Sequence, residues 1–259
     1  MHRRRFLAML GGTSAIAGCT MQVPQGDTRI DGDDLPEDDP RLAPITADDA
    51  DGDWLKDEWE EAGEAPNGLP IPEADPDHRD LFVDIVSLSD APLLSPDMVT
   101  DLKRRFSELP VVNPDGKTGI NLHVHGPRYL DLSMAELIEQ EGQDIHQISL
   151  LHGRFLYQKA FMEDRVGIYH LLVNLPASAY IDGKAGISAF KFAMIKTHHR
   201  EVIMHHLLRT IIGPAFDTEC FDEWHTCNGY LTDPPERDFA PETVDYLQHN
   251  QFYDVEYLF

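Results

Sequence analysis

The sequence predicts an α+β fold, and three observations predict it. Short apolar, β-rich runs fall at residues 81–86, 119–124 and 166–173. Helical patterns separate and follow them, the longest coming late, at residues 189–212. Hydrophobic residues make up 42% of the 259, enough to bury a small mixed sheet packed on a long helix.

The chain opens on Arg3, Arg4 and Arg5, followed by an apolar run over residues 6–17. That run is too short to span a bilayer as a stable helix and reads as a removable export signal. Its paired arginines followed by Phe-Leu resemble a twin-arginine signal, which exports proteins already folded. Its end, Ala17-Gly18-Cys19, resembles a lipoprotein cleavage box. The resemblance implies that residues 1–18 are removed, that Cys19 carries lipid, and that the chain is anchored to the outer face of the cell membrane. Residues 19–47 then read as an acidic tether without apolar periodicity. From Asp27 to Glu64 sixteen acidic residues face three basic ones, so this stretch is strongly solvated.

The formal net charge is −25, and losing the three arginines of residues 1–18 takes it to −28. Such a surface repels nucleic acid and anionic headgroups, so neither is an expected partner. Contact with the membrane is expected through the lipid anchor alone. Concentrated salt would screen the self-repulsion, which suits a halophilic protein.

The folded part is expected from near Asp49, as a segment over 48–66 and a domain over 67–259. Residues 81–86 are apolar on both faces, as a buried strand requires. Ser95 is an N-cap, with Pro96 at the first helical position and Asp97 in the first turn. That helix runs through Met98, Val99, Leu102 and Phe106 and stops before Pro110. Asn113-Pro-Asp-Gly116 is a turn, and residues 119–124 form the second strand. Residues 132–140 and 148–162 read as helices, and 166–173 as a third strand. Gly213-Pro214 ends the long helix. The remainder is irregular and aromatic, with a short helix at 241–249. Met134, Met162 and Met194 read as core filler.

Three constellations have the residue types for chemistry. The first is Asp49-x-Asp51-Gly-Asp53-x-Leu55-x-Asp57-x-x-Glu60. Its carboxylates fall at loop positions one, three, five, nine and twelve, with the Leu55 carbonyl at seven. A hard cation needs six to eight oxygens, and this spacing wraps them around one centre, so calcium is the expected ion. Trp54 stands where such a loop turns on glycine. The second is the 190–212 helix, whose spacing puts His198, Glu201 and His205 on one stripe and His199 and His206 on the next. Ile203, Leu207 and Ile211 form an apolar seam beside them. The expectation is an amphipathic helix whose histidines are polar-face or hydrogen-bonded residues, because no HExxH pair exists. The third is the run from Asp217 to Cys227, where His225 sits near Cys220 and Cys227. Outside the cell that cysteine pair would tend to form a disulfide, and a thiolate pair on a metal is the alternative.

Several segments resemble, in order, a secreted prokaryotic metalloprotease-like domain of the haloarchaeal type. Asp49-Ala-Asp-Gly-Asp-Trp-Leu-Lys-Asp-Glu-Trp-Glu60 resembles the calcium-loop segment that often precedes it. Ala74-Asp-Pro-Asp-His-Arg-Asp-Leu-Phe-Val-Asp84 resembles its first strand. Val112-Asn-Pro-Asp-Gly-Lys-Thr-Gly-Ile-Asn-Leu-His-Val124 resembles its second, and Arg165-Val-Gly-Ile-Tyr-His170 the strand before its active helix. The family is zincin-like, of the metzincin kind, with an HExxHxxGxxH helix. The resemblance implies a zincin-like sheet packed on that helix.

This chain departs from the family at the helix itself. Met204-His-His-Leu-Leu-Arg209 stands where the family has Met-His-Glu-Leu-Gly-His. His205 matches the first ligand, His206 replaces the general base, Arg209 replaces the second ligand, and Ala215 falls at the third. A zinc protease needs three ligands and a base, and a guanidinium repels zinc. Bound zinc is therefore not expected. The expected function is that of a surface-anchored lipoprotein with a catalytically degenerate domain kept for binding or structure. The alternative is a metal-dependent hydrolase using Glu201, His205, His206 and His225 as rearranged ligands.

Overall fold

The computed structural model describes residues 39–140, 155–156, 159–160, 165, 168–181, 185–189, 191–213, 230–231 and 238–253. The export signal, Cys19, the helix expected over 148–162 (apart from 155–156 and 159–160), Cys220, His225 and Cys227 lie outside those residues. The described chain begins within the stretch read as tether, where Pro40–Leu42 form a 3-10 turn capped by Asp39.

The fold is α+β, as predicted. Five strands form one mixed sheet: β1 (Asp80–Ser87), β2 (Asn121–Tyr129), β3 (His170–Asn174), β4 (Gly186–Ala189) and β5 (Phe192–Ile195). Their order is β2-β1-β3-β5-β4. All neighbours run parallel except β4, which pairs antiparallel with β5 at one edge. The helices are α1 (Asp57–Ala62), α2 (Pro96–Ser107), α3 (Met134–Gln140), α4 (Arg200–Ile212) and α5 (Pro241–His249). Among the described residues no helix is long and apolar enough to cross a membrane.

β1 is buried along its whole length, which explains its near-continuous apolar run. Its alternate residues feed two cores. Leu81, Val83 and Ile85 face α2 and α4, together with Leu172 of β3 and Ile195 of β5. Val86, Leu171, Val173 and Met194 face the opposite layer, with Leu137 of α3. The sheet is thus covered on both faces, as parallel strands require. Ser95 caps α2 as expected, its hydroxyl accepting from the Met98 N–H at 3.2 Å. Pro96 opens that helix, and Leu102 and Phe106 point into the core.

The late part differs from the prediction. The helix expected from residue 189 begins at Arg200, because Phe192–Ile195 is a strand buried between β3 and β4. A four-residue apolar run has no period that separates strand from helix, and pairing with β3 decides it. β4 and β5 therefore intervene between the 165–170 segment and α4, so β5 is the strand before the helix. α4 is also not amphipathic. Ten of its thirteen residues are buried, leaving Arg200, Glu201 and Arg209 as its partly exposed positions. A helix apolar nearly all round belongs inside a core, and this one lies against the sheet. His198 precedes the helix, so the expected His198–Glu201–His205 stripe does not form.

Two buried polar side chains of the sheet, His170 and Asp84, are met by protein partners. The Thr210 hydroxyl donates to the Leu207 carbonyl at 2.7 Å and accepts from His170 Nδ1 at 2.8 Å. Burial holds the His170 imidazole well below its usual range, so it is neutral. Asp84, fully buried on β1, is met by Arg128 at 2.7 Å, His125 at 3.1 Å and Arg165 at 3.3 Å.

Phe106 is fully buried and sets its ring edge-on to Phe239 at 6.5 Å. Phe106→Ala should cost about 3–5 kcal/mol of unfolding free energy in urea titration, the range for an aromatic truncated in a close-packed core. A loss below about 1 kcal/mol would show that α2 does not pack on the sheet as described.

Candidate metal centre

The acidic loop folds onto the root of β1. Its carboxylates first serve the loop's own backbone. Asp49 accepts from the Gly52 N–H at 2.7 Å and the Trp54 N–H at 3.1 Å. Asp51 accepts from Asp53 N–H at 3.1 Å, and Asp53 from Leu55 N–H at 2.7 Å. The other Asp53 oxygen accepts from the Asp80 N–H at 2.7 Å, fastening the loop to the first residue of β1. Asp57 accepts from the Ala50 N–H at 2.9 Å and closes the loop against α1. Gly63, left-handed at φ 65°, ends that short helix.

Trp54 occupies the sixth loop position with φ 76°, the left-handed conformation that glycine takes there in a calcium loop. A bulky residue pays roughly 1–2 kcal/mol for it. The indole N–H donates to the Phe252 carbonyl, and Gln251 donates to Asp49 at 2.9 Å. Trp54 therefore takes the left-handed conformation of that position and adds an anchor to the C-terminal segment.

Two sets of carboxylates converge. Ligand atoms of Asp49, Asp51 and Asp53 lie within 4.8 Å of one another, and so do those of Asp53, Glu60 and Asp80. Oxygens on opposite sides of a calcium ion, each 2.3–2.6 Å away, are about 5 Å apart, so both sets have the span of a coordination sphere. All five side chains are buried. Asp51 Oδ2 and both oxygens of Glu60 have no hydrogen-bond partner. Arg79 is the buried cation among them, its guanidinium held to Asn113 Oδ1 at 3.1 Å.

The electrostatic cost is visible in the acids. Burial, then the neighbouring charges of Asp53, Glu60 and Asp49, push Asp51 up to about 11. Burial, then Asp53, Asp80 and Asp49, push Glu60 up to about 10. Burial also raises Asp53 well above the carboxylate range and raises Asp49, where the Gly52 and Trp54 amides oppose it. Oxygen-only donors in a buried, net-negative pocket suit a hard divalent cation.

Four predicted loop residues, Asp49, Asp51, Asp53 and Glu60, are brought together. Asp57 is turned to the loop backbone instead. Asp80, Arg79 and Gln251 escaped the sequence reading. The available signal for the first two was a charged Arg-Asp pair at the mouth of a strand otherwise apolar on both faces.

The zinc candidates are arranged differently. Glu201 pairs with Arg200 at 2.8 Å. His206 Nδ1 meets Ser188 Oγ at 2.8 Å. The His205 ring sits edge-on to Tyr230 at 4.9 Å and to His206 at 5.1 Å. Among the described residues, the ligand groups that converge in threes are all carboxylates, and Glu201, His205 and His206 are not among them. Comparison with protein-family models, with curated proteins and with solved structures finds no match for this chain.

The raised acids fix a pH dependence. Without a cation they keep their protons when folded, and lose them near their ordinary values of 3.8 and 4.5 when unfolded. The folded state therefore binds more protons between those values and about 10, and stability falls as pH rises. After chelation the urea midpoint should fall steadily from about pH 5 to about pH 9, and saturating calcium should flatten the trend. A midpoint that rises with pH in chelator would contradict the buried cluster.

Proposed function

We propose that this chain is an exported, lipid-anchored surface protein whose folded domain is a binding or structural module. A hard divalent cation, calcium, is a built-in part of that fold. The single observation that carries the cation is the set of five buried carboxylates, with oxygens on Asp51 and Glu60 that no protein donor reaches. An uncompensated buried carboxylate costs several kcal/mol, and a bound cation removes that cost. Calcium is favoured over magnesium because magnesium demands a near-ideal octahedron and keeps its waters, whereas these donors are buried protein oxygens.

The domain is read as a metzincin-like scaffold without peptidase chemistry. The support is the arginine at position 209, the histidine at 206 and the pairing of Glu201 with Arg200. The sequence of the first nineteen residues supports export and the anchor at Cys19.

Calcium at about 100 times its dissociation constant should stabilise the protein by about 2.7 kcal/mol, read as a rise in melting temperature that chelator reverses. Peptide substrates should remain uncut in the presence of added zinc. Stoichiometric zinc released by His205→Ala, together with chelator-sensitive hydrolysis, would overturn the assignment in favour of a hydrolase.

A further inference from the structure

Resting on the reading that this site takes a hard cation, we propose that it takes two, bridged by Asp53. One ion is held by Asp49, Asp51 and Asp53, and the other by Asp53, Glu60 and Asp80. Three observations carry the second ion.

The first is geometric. The two convergent sets share Asp53 alone, and no single set within 4.8 Å contains all five acids. Asp53 is therefore placed to bridge two neighbouring coordination spheres, one on the side of Asp49 and Asp51 and one on the side of Glu60 and Asp80.

The second is the placement of unmet oxygens. Asp51 is fully buried and its Oδ2 lacks a partner, which belongs to the first set. Glu60 is 4% exposed and both its oxygens lack a partner, which belongs to the second. Asp49, Asp53 and Asp80 all accept backbone N–H groups, whereas Glu60 accepts none. One ion in the first set would leave Glu60 buried without a donor.

The third is charge. Five carboxylates against the Arg79 guanidinium and the His123 imidazole at Asp80 leave at least three negative charges, more than one divalent ion balances. Asp84, farther along β1, shows the contrasting solution, with two arginines and a histidine around one buried carboxylate.

Asp80 gives the second ion a consequence that a self-contained loop lacks. It opens β1 and also contacts His123 of β2 and the Asp75 N–H, so this ion joins the loop to the sheet.

The test is native mass spectrometry and calorimetric titration of the purified full chain with calcium, the titration in about 1 M KCl so that surface carboxylates are screened. The expected result is two ions per chain. Glu60→Gln should bind one ion, Asp51→Asn should bind one ion, and Asp53→Asn should bind none tightly. Terbium luminescence excited through Trp54, which lies within the loop, should persist in Glu60→Gln and disappear in Asp53→Asn. One ion per wild-type chain overturns this proposal and leaves the cation-binding reading intact. No bound ion overturns both. Because wild-type stoichiometry decides between these outcomes, a variant that fails to fold does not weaken the test.

Discussion

Compensating the negative charge at the root of β1 is the constraint on which the rest of this structure depends. Five carboxylates are enclosed there beside one guanidinium. The cluster is also a junction. Asp53 holds the N–H of Asp80, Asp49 holds Gln251, and Phe252 N–H donates to the Gly52 carbonyl at 2.7 Å. The next residue, Tyr253, donates its N–H to Ile211 at the end of α4. The loop, the first strand, the C-terminal segment and the long helix therefore meet through a few contacts beside the buried acids. A charge left uncompensated at that point strains all four, which is why the cation is read as part of the fold.

The two buried acids of β1 show how the same strand handles the same problem twice. Asp84 lies mid-strand, where β2 and the residue at 165 supply cations directly. Asp80 lies at the strand's end, where Asp53 and Glu60 converge with it and His123 of β2 meets one of its oxygens. Protein cations meet the first carboxylate, whereas at the second the proposed divalent ion would add a double charge and a coordination that takes in several oxygens at once.

Much of this was legible in the sequence. Alternating aspartates at 49, 51 and 53 announce a loop that turns its carboxylates inward, and Ser95-Pro96 announces the start of α2. Asp80 was not legible, because its burial depends on the loop docking onto β1 rather than on any local pattern. Trp54 was misleading in the other direction. By residue type it argues against a left-handed turn, yet its indole bond to Phe252 holds that conformation. β5 was hidden because Phe-Ala-Met-Ile is apolar without a period, and β4 because Gly186–Ala189 is short and small. Gly186 is small for a reason that only tertiary packing reveals, since a Cβ there would come within 2.5 Å of His206 Nε2. That histidine, read from sequence as a polar-face or hydrogen-bonded residue, is buried and bonded to Ser188.

The most direct test of a cation built into the fold is an anomalous-difference map from crystals grown in calcium, measured at a wavelength where calcium scatters anomalously. The account predicts strong density at the root of β1, in contact with Asp53 oxygens, and its loss from crystals soaked in chelator. A featureless map there, with the acids held to one another by shared protons, would contradict it.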